Sequence, residues 1–225
     1  MRTANKLVVA ALLAVVLSAA GAFASGDTES SPGSGGVAPF GVIEYLEGEV
    51  TVDGVAADIG MSVSAGQIVS TGPRALAEIV FDDRNVFQLR EDTTMVLDVG
   101  ADGGRSVELE EGAFAAVFDR LRQVAGDEAF AFRAPAAVGG VRGTTFYVRV
   151  EDEQTTYICT CNGTTELEGV DGADARTVDS GYHSAYRFIR DGESVRTESA
   201  PLLYHADAEM DALAAKVGAT IPWDR

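Results

Sequence analysis

The 225-residue chain has few of the side chains that carry site chemistry: two cysteines, two histidines and one tryptophan. Two cysteines allow at most one internal bridge, which excludes a disulfide-dense scaffold. The sequence lacks a Gly-x-Ser-x-Gly elbow, a His-Glu-x-x-His pair, a paired-glycine dinucleotide fingerprint and a Walker loop. With 35 acidic residues, no particular carboxylate pair is nominated as an acid and base. The expectation is a non-enzyme. Positive charge is scarce as well, with 17 basic residues and a net charge of −18. Such a chain repels phosphate backbones and anionic headgroups, so nucleic acid and anionic lipid are not expected partners. The acids are scattered through the β segments, as on a solvated surface.

Long apolar runs are missing beyond the first residues. There, Arg2 and Lys6 precede the apolar stretch Leu7–Leu17, and Ala22-Phe23-Ala24 follows as a small-x-small site. That pattern predicts a secretory signal peptide over 1–24, with a retained N-terminal anchor as the alternative. Without a cysteine near the cut, a lipoprotein anchor is not expected. Cleavage would leave 15 of the 17 basic residues, Lys216 as the remaining lysine, and a net charge of −20. The predicted location is periplasmic or extracellular, with no stable membrane span after cleavage.

Residues 25–39 are rich in Gly, Ser and Pro and read as a flexible linker. A period of two then takes over. Val50 and Val52 lead to a turn at Asp53-Gly54, and Ala75, Ala77, Ile79 and Phe81 lead to one at Asp82-Asp83. Further strands are expected at Val86–Leu89, Met95–Leu97 and around Val107, Leu109 and Phe114. Asp102-Gly103-Gly104 reads as a turn, and Phe118–Val124 has the spacing of one helical turn. Alternation resumes at Phe130, Phe132, Phe146, Val148 and Val150. Thr155–Cys161 reads as a strand, and a hairpin is expected around Asp191-Gly192. Short strands punctuated by Gly and Asp predict an all-β fold, a single β-sandwich or β-roll over 40–200.

Residues 201–225 form a different kind of segment. Asp207 is a candidate N-cap, Met210, Leu213, Ala214 and Val217 share a helical face, and Gly218 suits the C′ position. A short C-terminal α-helix is predicted to pack on the β body, with Ile221 and Trp223 covering something apolar; a partner-binding tail is the alternative.

The order of motifs from Gly41 to Glu168 resembles the FecR domain family of exported bacterial β domains. The resemblance begins with Gly48–Val52 and the step Gly66-Gln67-Ile68-Val69-Ser70-Thr71-Gly72. It continues through Ala75–Asp83 and Val86–Leu89. It is densest in Ala134-Pro135-Ala136-Ala137-Val138-Gly139-Gly140-Val141-Arg142-Gly143-Thr144-Thr145-Phe146, where Ala134 stands for the usual Thr. Within it, Gly140, Val141, Arg142, Gly143 and Thr144 are expected to form a structural corner. There the glycines permit turns or close backbone approach, and Arg142 ties strands through its five donors. The resemblance implies an exported binding or scaffold module of the cell envelope, with an envelope protein or a polysaccharide as ligand. Sensory relay of the FecR type is an alternative. The relay members resemble a cytoplasmic segment, a membrane helix and a periplasmic domain in series, from which this chain departs.

All four Cys and His residues, Cys159, Cys161, His183 and His205, fall in the last third of the chain. In a strand, Cys159 and Cys161 face the same side with Cα atoms ~6.6 Å apart, at ~3.3 Å per residue. A disulfide would need a kink, for instance at Asn162-Gly163, since Cα separations in bridges rarely exceed ~6.8 Å. Two thiolates on one face could instead join His183 and His205 in a Cys₂His₂ set for Zn²⁺ or Cu⁺. A strained bridge would also be redox-responsive. The Cys-x-Cys spacing matches no standard zinc motif.

Overall fold

The computed structural model describes residues 39–99, 105–118, 130–141 and 143–224. The leader, the linker before Pro39, the Asp102-Gly103-Gly104 turn, the helical turn beyond Phe118 and Arg142 lie outside them. The chain forms β1 (Pro39–Glu47), β2 (Val50–Val52), β3 (Val55–Ala56), β4 (Ser62–Ser64), β5 (Ile68–Thr71) and β6 (Leu76–Phe81). Next come β7 (Asn85–Leu89), β8 (Thr93–Val99), β9 (Arg105–Glu111), β10 (Ala113–Phe118), β11 (Phe130–Arg133) and β12 (Ala137–Val141). The last strands are β13 (Thr145–Asp152), β14 (Thr155–Gly169), β15 (Arg176–Ser180), β16 (Ser184–Asp191) and β17 (Ser194–Ala200). The helix α1 (Asp207–Lys216) closes the fold. This is the all-β architecture with a short C-terminal helix that the alternation predicts.

The strands make two sheets. One runs β4–β1–β6–β7–β10–β13–β14–β16–β17, antiparallel throughout. The other runs β3–β2–β5–β8–β9–β11–β12–β14–β15, antiparallel except for β9 beside β11. β14 belongs to both. Its first half lies between β13 and β16, and the stretch after Gly163 lies between β12 and β15. The sequence pattern marks this strand only as far as Cys161 and offers Asn162-Gly163 as the place for a kink; the strand in fact runs on to Gly169. The strand bends at Gly163, which has φ +106 and where a Cβ would lie 3.1 Å from Gly143 O and Thr144 Cα.

Alternation along each strand builds two apolar layers. Phe40, Phe81, Phe87, Phe114, Phe118, Phe130, Phe132 and Phe146 fill the space between the sheets, with ring centroids 4.7–6.3 Å apart. Each such ring contributes roughly 1.5–3 kcal/mol by leaving water. The opposite face of the first sheet is also apolar, so β10 is buried on both sides: Phe114, Ala116 and Phe118 point inward, while Ala113, Ala115 and Val117 point outward. That outer layer includes Tyr147, Tyr157, Cys159, Cys161 and Ala185, and it is covered by Met210, Leu213, Ala214, Val217 and Ile221 of the C-terminal segment. The helix packs where its apolar face predicts.

Two local expectations need correction. Asp207 is not the N-cap. Ala206 is, with φ −127, and Glu209 reaches back to accept its N–H at 2.9 Å, leaving Asp207 for another task. Gly139 and Gly140 sit inside β12 rather than at a turn, and a Cβ on Gly139 would overlap the Phe132 ring. The close-approach reading holds for Gly139, while the turn falls at Gly143, with φ +62.

Candidate metal centre

The four Cys and His residues converge. One donor atom from each of Cys159, Cys161, His183 and His205 falls in a group no more than 4.8 Å across. Strand geometry brings the cysteines. They project from the outer face of β14, and both are fully buried beneath the C-terminal segment. Opposite β13, Asn162 pairs with Thr145 and Thr160 with Phe146, so Cys161 is the extra residue of a bulge. Bulges re-aim side chains, and here the bulge leaves the Cys161 carbonyl to accept the His183 N–H at 3.0 Å. His183 ends the tight Gly181-Tyr182-His183 connection into β16 and has φ +38, a left-handed conformation that costs about 1–3 kcal/mol in a residue with a Cβ. His205 comes from the segment between β17 and α1.

The sulfurs are 3.9 Å apart as free thiols. His183 Nδ1 lies 3.5 Å from Cys159 Sγ, and His205 Nε2 lies 3.2 Å from Cys161 Sγ. Ligands ~2.0–2.3 Å from one tetrahedral ion sit roughly 3.3–3.8 Å from one another. These three edges match that figure to within a few tenths of an ångström, and the other three are no longer than 4.8 Å, so an ion would draw the donors slightly together. The far ring nitrogens are also held. Asp207 Oδ1 accepts from His183 Nε2 at 2.9 Å, and the Leu203 carbonyl accepts from His205 Nδ1 at 2.9 Å. Each histidine therefore turns its other nitrogen toward a sulfur, the orientation that a carboxylate or carbonyl on the far ring nitrogen imposes in metal sites.

Electrostatics separates the two thiols. The Cys161 S–H beside Cys159 does most to draw the Cys159 pKa down, to about 4, with further help from His183 and His205 against the effect of burial. Burial and the Cys159 thiolate push Cys161 well above the ordinary thiol range. Burial alone would lower His183, but the Cys159 thiolate and Asp207 outweigh it and raise it. A cation in the cluster would replace the shared proton and ionise the second thiol.

Aromatic rings wall the cluster. Tyr147 stacks on His205 at 4.6 Å and 19°, and Trp223 stacks on His183 at 5.0 Å and 23°. Trp223 is fixed by its Nε1–H to Asp211, 2.8 Å. Asn162 Nδ2 donates to the Gly181 and Pro222 carbonyls. Sequence reasoning named the four donors but missed Asp207, Tyr147 and Trp223 as their neighbours. Asp207 had a local signal, two residues after His205; Tyr147 had none, since only sheet pairing brings it there.

Fold and site together define a two-sheet all-β domain whose C-terminal helix packs on the apolar layer that holds the two cysteines. Residues 67–164 match the FecR family, described as FecR protein. The matched stretch takes in most of the motif order from Gly66 through Phe146. Two crystal structures of a "putative anti-sigma factor" from Parabacteroides distasonis ATCC 8503, at 2.50 and 1.65 Å resolution, are similar at 15% identity and a TM-score of 0.46. The match covers 59% of this chain and 59% of those chains. No curated protein matches. Among the described residues, no helix is long and apolar enough to cross a membrane.

Proposed function

We propose that the protein is an exported, non-catalytic FecR-domain binding or scaffold module of the cell envelope, with its C-terminal helix latched by one zinc ion at Cys159, Cys161, His183 and His205. The observation that carries this reading is the convergence of four donor atoms within 4.8 Å, the histidines already turned by Asp207 and the Leu203 carbonyl. Four protein ligands leave no open position, which suits a structural ion rather than a catalytic one. Charge favours zinc over cuprous copper. Two thiolates neutralise Zn²⁺, whereas Cu⁺ would leave a net negative centre beside Asp207 in a site where both cysteines are fully buried.

The ion would tie β14, the turn into β16 and the entry to α1 into one unit. The test is metal content and free-thiol count on full-length protein exported to the periplasm and purified without metal-affinity resin. About one zinc per chain supports the latch. Absence of metal together with a mass two hydrogens short identifies a Cys159–Cys161 disulfide and overturns it. N-terminal sequencing of the same sample checks export, with Ser25 the expected first residue.

A second reading is sensory relay of the FecR type, favoured by the match over 67–164. It requires the N-terminal apolar segment to be retained, so recovery of the protein in the membrane fraction would favour it over the exported module.

A further inference from the structure

A second site shares the helix-bearing face. A pocket of about 310 Å³ opens between Arg74 and Ala75, the start of β6, the residues just after β7, β13 and Tyr204. In a protein of net charge −18, Arg74, Arg90 and Arg149 all line it. Arg90 places Nη1 3.5 Å from Glu209, but its Nε and Nη2 are buried and have no hydrogen-bond partner. This two-donor edge fits a carboxylate. Arg187 shows the same edge engaged, donating from Nε and Nη2 to Glu151 at 2.7 and 2.8 Å. Buried donors are almost always paired, so the Arg90 edge calls for an acceptor.

The surroundings narrow the chemistry. Tyr147 and Tyr204 give the pocket aromatic walls, and the Arg149 guanidinium lies 4.9 Å from the Tyr204 ring. Glu47 and Glu91 also line the pocket and can accept from hydroxyl groups. Glu151, which could otherwise compete for the arginines, is taken up by Arg187 and by the Tyr204 hydroxyl at 2.6 Å. Arg74 and Tyr204 are both held at left-handed φ, +59 and +67, the kind of backbone cost that gathers at binding sites.

We infer that this pocket binds a small hydroxylated carboxylate of the sugar-acid class. The carboxylate sits beside Arg74 and Arg149 and draws the Arg90 edge, buried in the unliganded chain, out toward it; the ring lies against a tyrosine, and hydroxyl groups donate to Glu47 and Glu91. The site gives the binding-module reading a ligand class. None of the four Cys and His donors lines the pocket, so its failure would leave the zinc reading standing.

The experiment is calorimetric titration of the metal-loaded full chain with galacturonate, glutamate and inorganic phosphate. Saturable galacturonate binding is expected, weakened at least about tenfold in Arg149→Ala and in Arg74→Ala, the loss of one charged hydrogen bond. Arg90→Lys keeps the charge but loses the two-donor edge and should weaken galacturonate as well. Unchanged melting temperatures in the Arg74 and Arg149 variants separate lost contact from lost fold. No saturable galacturonate binding overturns the inference, as does phosphate binding of equal strength. Preference for glutamate overturns the sugar-acid class.

Discussion

Replacing Asp207 with Asn tests whether the cluster is built as a metal centre. Asp207 Oδ1 lies 2.9 Å from His183 Nε2, fixing the proton there and turning Nδ1 toward Cys159. Asn keeps the size but loses the charge and can present an N–H to a nitrogen that already carries a proton. Loss of a carboxylate that orients a ligating histidine typically lowers metal affinity 10–100-fold, about 1.4–2.7 kcal/mol. The substitution also removes a negative charge from the first turn of α1, about 0.3–1 kcal/mol of helix stability. Glu209→Gln supplies the control. It removes a charge from the same turn and weakens the contact with Arg90, but Glu209 makes no hydrogen bond to either histidine. Zinc affinity would be read by competition with a chromophoric chelator, and stability by thermal melting of chelator-treated protein. Asp207→Asn should lose zinc affinity while Glu209→Gln keeps it, with both melting lower. Equal affinity in the two variants would refute the reasoning.

Other outcomes follow from the same contacts. Cys161→Ser should abolish stoichiometric zinc binding and increase hydrogen exchange in α1, since one of four ligands is lost. Leu213→Ala, in a side chain 1% exposed between helix and sheet, should cost about 2–5 kcal/mol in chemical denaturation. Gly139→Ala should destabilise by an amount typical of overpacking, about 1–3 kcal/mol, because the added methyl meets the Phe132 ring. For acid sensitivity, burial alone would raise Glu151, but Arg187 and Tyr204 hydrogen bonds bring it below its usual 4.5. Its stabilising contribution is therefore complete above that value and is lost as pH falls through the lower folded-state pKa. Glu151→Gln should flatten the melting-temperature profile between neutral pH and pH ~3; an unchanged profile would remove the pair from the account.

The β architecture was legible because its signals are local. Val50-Thr51-Val52 before Asp53-Gly54, and Ala75 to Phe81 before Asp82-Asp83, carry both the period and the turn. β12 was not legible, because Ala137–Val141 carries two glycines whose reason, at Gly139, is a phenylalanine ring from the neighbouring strand. The double burial of β10 also escaped, since Ala113, Ala115 and Val117 gain their covering from a helix nearly a hundred residues downstream. For the site, scarcity was enough to nominate the four donors. It did not reveal how they meet: Cys161 enters on a bulge, His183 on a left-handed turn, and Asp207 leaves the helix-capping role to Ala206 and Glu209.

X-ray absorption at the zinc edge of the loaded protein addresses the central claim most directly. The account predicts a four-coordinate shell of two sulfurs at about 2.3 Å and two imidazole nitrogens at about 2.0–2.1 Å, unchanged by Glu209→Gln. A shell of oxygen and nitrogen without sulfur, or with one sulfur, would contradict it. The paired thiols of β14 would then not hold the ion.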